Sequence, residues 1–246
     1  MMKDGCKVKI CGITSLEDRD LVYRAGADFF GVIVDVPYSP RTLSMETAAC
    51  LLKDAPLPGA ALVFRKDLRQ LKHLLEYCRP QAVQFLSPLP PEWLRELKAC
   101  FPQVGWWQSL FLPAADAAAP LPEIEEQLRE NLCRRMQELS GAGADAVILD
   151  TAVKNGRGRR LGGTGQTSNW RSARLLAEKA PLPVFLAGGL KPSNIKAALD
   201  AVHPDGIDLC SGVEANPGRK DPDLLREMIS AVREWEKENT DGKDER

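Results

Sequence analysis

The sequence has 246 residues, of which 44% are hydrophobic and 27% are charged, and its formal net charge is −1. This length suits one α/β domain, and a net charge near zero gives no global field that would attract nucleic acid or an anionic membrane. The seven cysteines include no C-x-x-C pair, and no segment resembles a signal peptide or the ~18-residue apolar span of a membrane helix, so we expect a cytoplasmic protein without a disulfide framework or a zinc site.

Short apolar segments alternate with longer amphipathic segments along the chain. Residues 68–75 and 224–232, for example, carry apolar side chains at helical spacing. Strict alternation predicts parallel strands joined by right-handed helical crossovers. The predicted strands cover residues 7–11, 29–34, 60–64, 81–85, 104–110, 145–150, 183–187 and 206–210. Eight such units predict a single (β/α)₈ TIM barrel over residues 1–237, and an open doubly wound sheet is the alternative. Residues 238–246 are polar, and we expect a disordered tail without a catalytic role.

Two segments of the chain resemble each other. Residues 24–35 and 141–150 both contain Ala-Gly-Ala-Asp, an apolar strand and a further aspartate. They fall on predicted strands two and six, which are opposite each other in a barrel. The repeat fits either half-barrel symmetry or the suitability of Gly-Ala-Asp for a turn between a helix and a strand, where glycine ends the helix.

Three glycine-rich segments lie near the ends of late predicted strands, namely LGGTG at 161–165, FLAGGL at 185–190 and CSGVE at 210–214. Glycine lets backbone N–H groups approach an anion closely, and the start of a helix adds a partial positive charge. The loops after strands seven and eight of α/β barrels frequently bind phosphate. One Gly-Gly is more often an ordinary turn, but three such segments together predict a phosphate site. Its expected residues are Gly163, Gly165, Gly188, Gly189, Ser211 and Gly212.

Cys11 ends the first predicted strand and is a candidate base. Side chains alternate along a strand, so Lys9 and Cys11 should face the barrel interior, while Val8 and Ile10 face the helices. A neighbouring ammonium group favours the thiolate, which is the reactive form of cysteine. The alternative interpretation is an inert buried cysteine.

Asp150 ends the sixth predicted strand and is a candidate acid. A carboxyl group at the end of an apolar strand is costly to bury unless it has a partner or a task, although it could also cap the following loop. Asp208, on the eighth predicted strand, is a second inward-facing carboxylate that could pair with Lys9 across the barrel. We expect Lys9 and Asp208 to support substrate binding.

Arg41, after the second predicted strand, could bind a substrate carboxylate with two parallel hydrogen bonds, although a solvated loop arginine is the alternative. The basic segment RGRR at 157–160 fits either a solvated charge run or a mobile lid over an anionic substrate. The two histidines, His73 and His203, fall on or beside predicted helices. Their number and position disfavour a metal-dependent sugar-phosphate epimerase.

Together these motifs resemble the phosphoribosylanthranilate isomerase family from about Val8 to Asp221. The motifs that carry the resemblance are VKICGIT (8–14), GAD-x-x-G (26–31), SPR (39–41), VQ (83–84), LDT (149–151), GGTG (162–165) followed by Trp170, LAGGL-x-P-x-N (186–194) and SGVE-x-x-P-G-x-KD (211–221). The resemblance implies that Cys11 is the general base, that Asp150 is the general acid and that Arg41 faces the anthranilate carboxylate.

The reaction implied by the resemblance is the Amadori rearrangement of N-(5-phosphoribosyl)anthranilate, which needs an acid and a base on opposite faces of one sugar and no cofactor. We expect a phosphorylated sugar as substrate, neither nucleic acid nor membrane as partner, and a monomer or a homodimer.

The chain departs from the family pattern at the substrate end. Leu86 and Ser87 stand where the family usually has His-Gly after strand four, and the loop after strand two is one residue longer. The segment 105–122 is unusual, and we expect a long loop over residues 151–161. These departures leave two alternatives, a related barrel enzyme that acts on another phosphosugar and a non-catalytic phosphosugar-binding barrel.

Overall fold

The computed structural model describes residues 5–114, 122–155, 158–161, 167 and 169–240. Within these ranges eight parallel strands alternate with eight α-helices. The strands are β1 (Lys7–Ile10), β2 (Phe29–Val34), β3 (Gly59–Val63), β4 (Ala82–Phe85), β5 (Gly105–Pro113), β6 (Ala146–Asn155), β7 (Val184–Ala187) and β8 (Gly206–Leu209). The helices are α1 (Leu16–Ala25), α2 (Met45–Leu52), α3 (Leu68–Cys78), α4 (Pro91–Cys100), α5 (Pro122–Ala142), α6 (Trp170–Lys179), α7 (Ile195–Val202) and α8 (Pro222–Thr240). All eight predicted strands are confirmed.

The eight strands close into a barrel. Each strand pairs in parallel with the next, and β1 pairs with both β2 and β8. Lys9 of β1 therefore lies beside Phe29 on one side and beside Asp208 on the other. An open doubly wound sheet would leave β1 without one of these neighbours. The TIM barrel is confirmed, and the open sheet is excluded.

Alternation along the strands divides the core into layers. Val8 and Ile10 are fully buried in the layer between the strands and the helices. Inside the barrel, the rings of Trp107 and Phe185 stack with their centroids 5.6 Å apart. A small apolar cluster that contains Cys11 lies where the strands end. The predicted inward direction of Lys9 and Cys11 is therefore confirmed.

Helix α3 shows how local sequence sets the outer layer. The Asp67 side chain accepts a hydrogen bond from the Gln70 backbone N–H, and the Gln70 side chain accepts one from the Asp67 backbone N–H. This capping box satisfies two N–H groups that would otherwise lack partners at the helix start. Leu71, Leu74 and Leu75 then recur on one face of the helix and are buried against the strands.

Aspartates join neighbouring strands at the amino-terminal face of the barrel. Each of them precedes one strand and accepts a hydrogen bond from a backbone N–H at the start of the preceding strand. The pairs are Val8 with Asp28 (2.8 Å), Trp106 with Asp145 (2.9 Å) and Val184 with Asp205 (2.8 Å). Gly26 and Gly143 precede two of these aspartates with φ of 90° and 100°, the left-handed conformation that ends a helix. The contact recurs at Asp205, outside the Gly-Ala-Asp repeat, and this favours turn chemistry as the reason for the repeat.

Strands β5 and β6 extend beyond the other strands at the carboxyl-terminal face. Pairing between them continues as far as Pro113 and Ala152. The chain then reverses, and residues 152–155 pair antiparallel with the short strand Gly158–Leu161. The prediction that residues 151–161 form a loop is therefore wrong, because strand pairing satisfies much of the backbone of this segment as a β-hairpin.

Helix α8 lies beside the first strand. Arg233 of α8 donates hydrogen bonds to the Cys6 carbonyl oxygen (3.1 Å) and to the Asp28 carboxylate (2.9 Å). The helix continues to Thr240, so the first three residues of the predicted tail are helical, and residues 241–246 lie outside the described ranges. Over those ranges, no helix combines the length and apolarity needed to cross a membrane.

Candidate active site

A cleft of about 820 Å³, counted to its open mouth, lies at the carboxyl ends of the strands. Most of the sequence-predicted site residues line it, namely Cys11, Arg41, Asp150, Gly188, Gly189, Asp208, Ser211 and Gly212. Lys9 lies beneath them inside the barrel. Gly163 and Gly165 lie outside the described residues. The fold thus brings residues from five separate segments of the chain to one place.

Asp150 has the electrostatic character of a proton donor at neutral pH. Burial raises the pKa of its carboxyl group to about 7, because the charged form loses its hydration. The backbone N–H of Thr151, 2.6 Å from Oδ1, and the ammonium of Lys9 both lower that pKa, whereas the charge on Asp208 raises it. Burial outweighs the two lowering effects, so a substantial fraction of Asp150 carries its proton near pH 7.

Lys9 and Asp208 form a buried ion pair under the cleft. The distance from Lys9 Nζ to Asp208 Oδ1 is 2.7 Å, and the Lys9 side chain is fully buried. The two residues are register partners on β1 and β8. The predicted pairing is confirmed, but the expectation that it spans the barrel is wrong, because the two strands are neighbours in the closed sheet.

Cys11 is paired with a second thiol that sequence reasoning did not select. The Cys11 thiol donates a hydrogen bond to the sulfur of Cys210, and this bond together with burial raises the pKa of Cys11 well above its usual range. Lys9 lowers that pKa, as expected from the sequence, but its effect is outweighed. In return, the hydrogen bond from Cys11 lowers the pKa of Cys210, and the nearby Lys220 and Arg41 lower it further. Of the two thiols, Cys210 is therefore the one that ionises more readily.

Arg41 is held by Glu214 rather than left in solvent. Arg41 Nε and Nη2 donate to the two carboxylate oxygens of Glu214 at 2.8 and 2.5 Å. Burial opposes ionisation of Glu214, but Arg41 and Lys220 lower its pKa overall. Lys220 Nζ donates to Glu214 at 3.0 Å and to the Cys11 carbonyl oxygen at 2.6 Å. Two cations face one anion here, so the cluster carries an excess positive charge at the side of the cleft.

The glycine-rich loops need glycine for reasons of space. A Cβ atom at Gly212 would lie 1.8 Å from the carbonyl oxygen of Leu190, and one at Gly188 would lie 2.0 Å from Thr151 Oγ1. Gly188 also has φ of 87°, in the left-handed region. The loops after β7 and β8 therefore pack backbone against backbone at one edge of the cleft.

Known proteins combine the same fold with the same residue pattern. The family model for N-(5'phosphoribosyl)anthranilate (PRA) isomerase matches residues 8–231. This chain belongs to the phosphoribosylanthranilate isomerase family. The N-(5'-phosphoribosyl)anthranilate isomerase of Methanosarcina acetivorans is 37% identical over 233 residues, which cover 92% of this chain and 93% of that relative.

Solved phosphoribosylanthranilate isomerases share the fold over nearly their whole length. The enzyme from Pyrococcus furiosus has a TM-score of 0.75 at 28% identity, and the match covers 93% of this chain and 99% of that enzyme's chain. Monomers generated from the dimeric enzyme of Thermotoga maritima have a TM-score of 0.73 at 26% identity, with the same coverage. The family confirms that this chain is an isomerase of tryptophan biosynthesis. A monomeric or homodimeric state stays a prediction for this chain.

An apolar wall lines part of the cleft around residue 86, where the chain departs from the usual pattern of phosphoribosylanthranilate isomerases. Ile33, Val36, Leu62 and Leu86 form this wall. Leu86, which stands where the family usually has histidine, is buried within it. The substitution therefore makes this side of the cleft more apolar and leaves the ion pairs described above in place.

Four polar residues of the site were not selected from the sequence: Gln84, Cys210, Glu214 and Lys220. Three of them stand in or beside the SGVE-x-x-P-G-x-KD motif, and Gln84 is in the VQ pair of β4. Each of the four therefore lies in or beside a motif that carries the family resemblance. Their contacts were not predictable, because Arg41 and Glu214, for example, are 173 positions apart in the chain.

Proposed function

We propose that this protein catalyses the Amadori rearrangement of N-(5-phosphoribosyl)anthranilate to 1-(2-carboxyphenylamino)-1-deoxyribulose 5-phosphate. The observation that carries the proposal is the meeting of Asp150 and Cys11, from β6 and β1, in one cleft that also contains Arg41 and the glycine-rich loops. An acid and a base from separate strands can address two atoms of one bound sugar.

Asp150 is the general acid in this proposal. It donates its proton to the ring oxygen of the ribose, the bond from C1 to that oxygen breaks, and the nitrogen lone pair forms an imine at C1. The pKa of about 7 supports this role, because a general acid works best when its pKa lies near the working pH.

Cys11 is the general base. Its thiolate removes the proton from C2, and the electron pair of that bond forms an enolamine between C1 and C2. The enolamine then gains a proton at C1 and loses the proton of its C2 hydroxyl, which gives the aminoketone. Transfer of the Cys11 proton to the Cys210 sulfur would generate the Cys11 thiolate inside the cleft. This transfer costs free energy because Cys210 has the lower pKa, and the Lys9 ammonium offsets part of that cost because it lowers the pKa of Cys11.

The two ends of the substrate are bound by different chemistry. The excess positive charge of the Arg41 cluster suits the anthranilate carboxylate, and the apolar wall suits the aromatic ring beside it. Backbone N–H groups of Gly188, Gly189, Ser211 and Gly212 suit the phosphate, together with Gly163 and Gly165. Lys9 and Asp208 support the sugar site from below.

A fluorescence assay that follows loss of N-(5-phosphoribosyl)anthranilate tests the proposal. Wild type should turn over the substrate, and Cys11→Ala and Asp150→Asn should each lose roughly 10²- to 10⁴-fold in kcat. Cys78→Ala, which removes a buried thiol of α3, is the matched control and should retain turnover.

The two alternatives predict different results in the same assay. A folded wild type that is inactive on this compound but active on another aminated ribose phosphate would indicate a changed substrate. A protein that binds the compound, turns over none of these compounds and is unaffected by Cys11→Ala would indicate a non-catalytic barrel.

A further inference from the structure

Gln84 is a buried polar residue on the floor of the cleft. It lies on β4 with 2% of its surface exposed, and it lines the cleft together with Cys11 and Asp150. Its side-chain oxygen Oε1 is buried and has no hydrogen-bond partner among the described residues. An unpaired buried acceptor is unfavourable, so this atom is expected to acquire a donor when the site is occupied.

The orientation of the Gln84 amide follows from its neighbours. Nε2 lies 3.0 Å from Ser109 Oγ and 3.5 Å from Asp208 Oδ2. Asp208 is ion-paired with Lys9, and a carboxylate in such a pair accepts hydrogen bonds only. Turning the amide over would place two acceptors against each other, so the NH₂ group faces Asp208 and Oε1 is left for another partner.

We propose that Gln84 Oε1 binds the C3 hydroxyl group of the substrate's ribose, an inference that rests on the proposed function. In that reaction Cys11 removes the proton from C2, and Asp150 donates a proton to the ring oxygen that is bonded to C4. C3 joins C2 to C4, so its hydroxyl group lies between the two catalytic side chains, above the floor to which Gln84 belongs.

The chemistry of the reaction distinguishes the C3 hydroxyl from the C2 hydroxyl. The C2 hydroxyl becomes a carbonyl group, which only accepts hydrogen bonds. Its oxygen and Gln84 Oε1 would then be two acceptors that repel each other. The C3 hydroxyl stays a donor from substrate to product. Gln84 therefore binds the sugar through the reaction and selects substrates that carry a hydroxyl group at C3.

An enzyme–substrate double-mutant cycle tests this assignment. The substrates are the anthranilate adducts of ribose 5-phosphate and of 3-deoxyribose 5-phosphate, and the variant is Gln84→Met, which keeps the side-chain length but has no acceptor oxygen. We expect Gln84→Met to lower kcat/KM roughly 10- to 100-fold on the ribose compound and less than about 3-fold on the 3-deoxy compound. If Gln84→Met does not fold, Gln84→Asn withdraws the oxygen by one carbon and should show the same dependence on substrate.

The control is Gln108→Met, since Gln108 is also a buried glutamine but bonds to the backbone of Phe85, Ser87 and Leu89. Its effect should be equal on the two substrates. Equal losses on both substrates for the Gln84 variants would overturn the assignment and make Gln84 a structural residue. Absence of turnover by a folded wild type would instead refute the proposed function, and the assignment with it.

Discussion

Burial raises the pKa of the Asp150 carboxyl group to about 7, whereas an aspartate in an unfolded chain titrates near pH 3.9. Between these values the folded protein holds a proton that the unfolded chain has released. The unfolded state therefore binds fewer protons, and the free energy of unfolding falls as the pH rises from about 4 to 7. The property that suits Asp150 to proton donation thus reduces stability above neutral pH.

Asp150→Asn should consequently stabilise the protein at pH 8, by at most about 4 kcal/mol. The amide keeps an oxygen for the Thr151 N–H but has no charge to bury. Urea denaturation of both proteins at pH 8 and pH 4.5 measures the effect, and the advantage of the variant should shrink at the lower pH. An advantage that is the same at both pH values would show that the Asp150 charge is not its cause.

Cys210 controls the ionisation of Cys11 through the hydrogen bond between their sulfur atoms. Cys210→Ala removes the acceptor, so the pKa of Cys11 should fall, although burial still keeps it raised. Alkylation by iodoacetamide over a range of pH, followed at Cys11 by mass spectrometry, should give a midpoint at lower pH in the variant. Cys78, whose pKa is raised to about 11 by burial, is the internal control and should not change. An unchanged midpoint for Cys11 would contradict the pairing.

Residue identity was predictable from the sequence, but residue contacts were predictable only in part. Strand alternation and position make Lys9, Cys11 and Asp150 candidates, because Lys9 and Cys11 share the inward face of the first predicted strand and Asp150 ends the sixth. The Glu214 carboxylate that holds Arg41 belongs to the short strand Glu214–Asn216, 173 positions further along the chain. The hydrophobic periodicity of a segment predicts which face of the strand or helix a side chain occupies. It does not predict which distant residue that side chain contacts.

The loop after β8 has no room for a side chain at Gly212. Gly212→Ala would place Cβ 1.8 Å from the Leu190 carbonyl oxygen, so the two loops would have to separate. We expect a rise in KM of at least about 10-fold, because backbone N–H groups lose their alignment on the phosphate. The kinetic assay described above measures it, and an unchanged KM would show that these loops do not bind substrate.

Gly141→Ala is the matched control for this loop. Gly141 lies in α5, and a Cβ atom there would meet nothing within 4 Å. The substitution should leave KM unchanged and stabilise the protein by about 0.5–1 kcal/mol, since alanine favours the helix.

The sequence predicts the barrel strands more reliably than the hairpin at the mouth. Each barrel strand has an apolar run bounded by turn residues, which is what burial on both faces requires. The strand Gly158–Leu161 is rich in arginine, and this composition indicates a loop. Its pairing with β6 rests on backbone hydrogen bonds, and amino-acid composition is a poor indicator of these.

Across the whole molecule, the two faces of the barrel have separate tasks. The candidate catalytic groups lie at the carboxyl ends of the strands, and the aspartates that join neighbouring strands lie at the amino ends. Asp145→Ala removes the acceptor for the Trp106 N–H and the partner of Lys98. It should lower the free energy of unfolding by about 1–3 kcal/mol and leave kcat/KM unchanged. Denaturation and kinetics on the same sample measure both, and a fall in kcat/KM without loss of stability would contradict this division.

The contact of Arg233 with Cys6 and Asp28 brings the start of β1 and the last helix side by side on the face opposite the cleft. A linker from the end of α8 back to the start of β1 would therefore stay on that face, and new termini could be opened at a turn on the same face. Such a circular permutant would keep all eight strand pairings and every group around the cleft. The order of the eight βα units along the chain can thus change while their arrangement in space, and with it the site, stays the same.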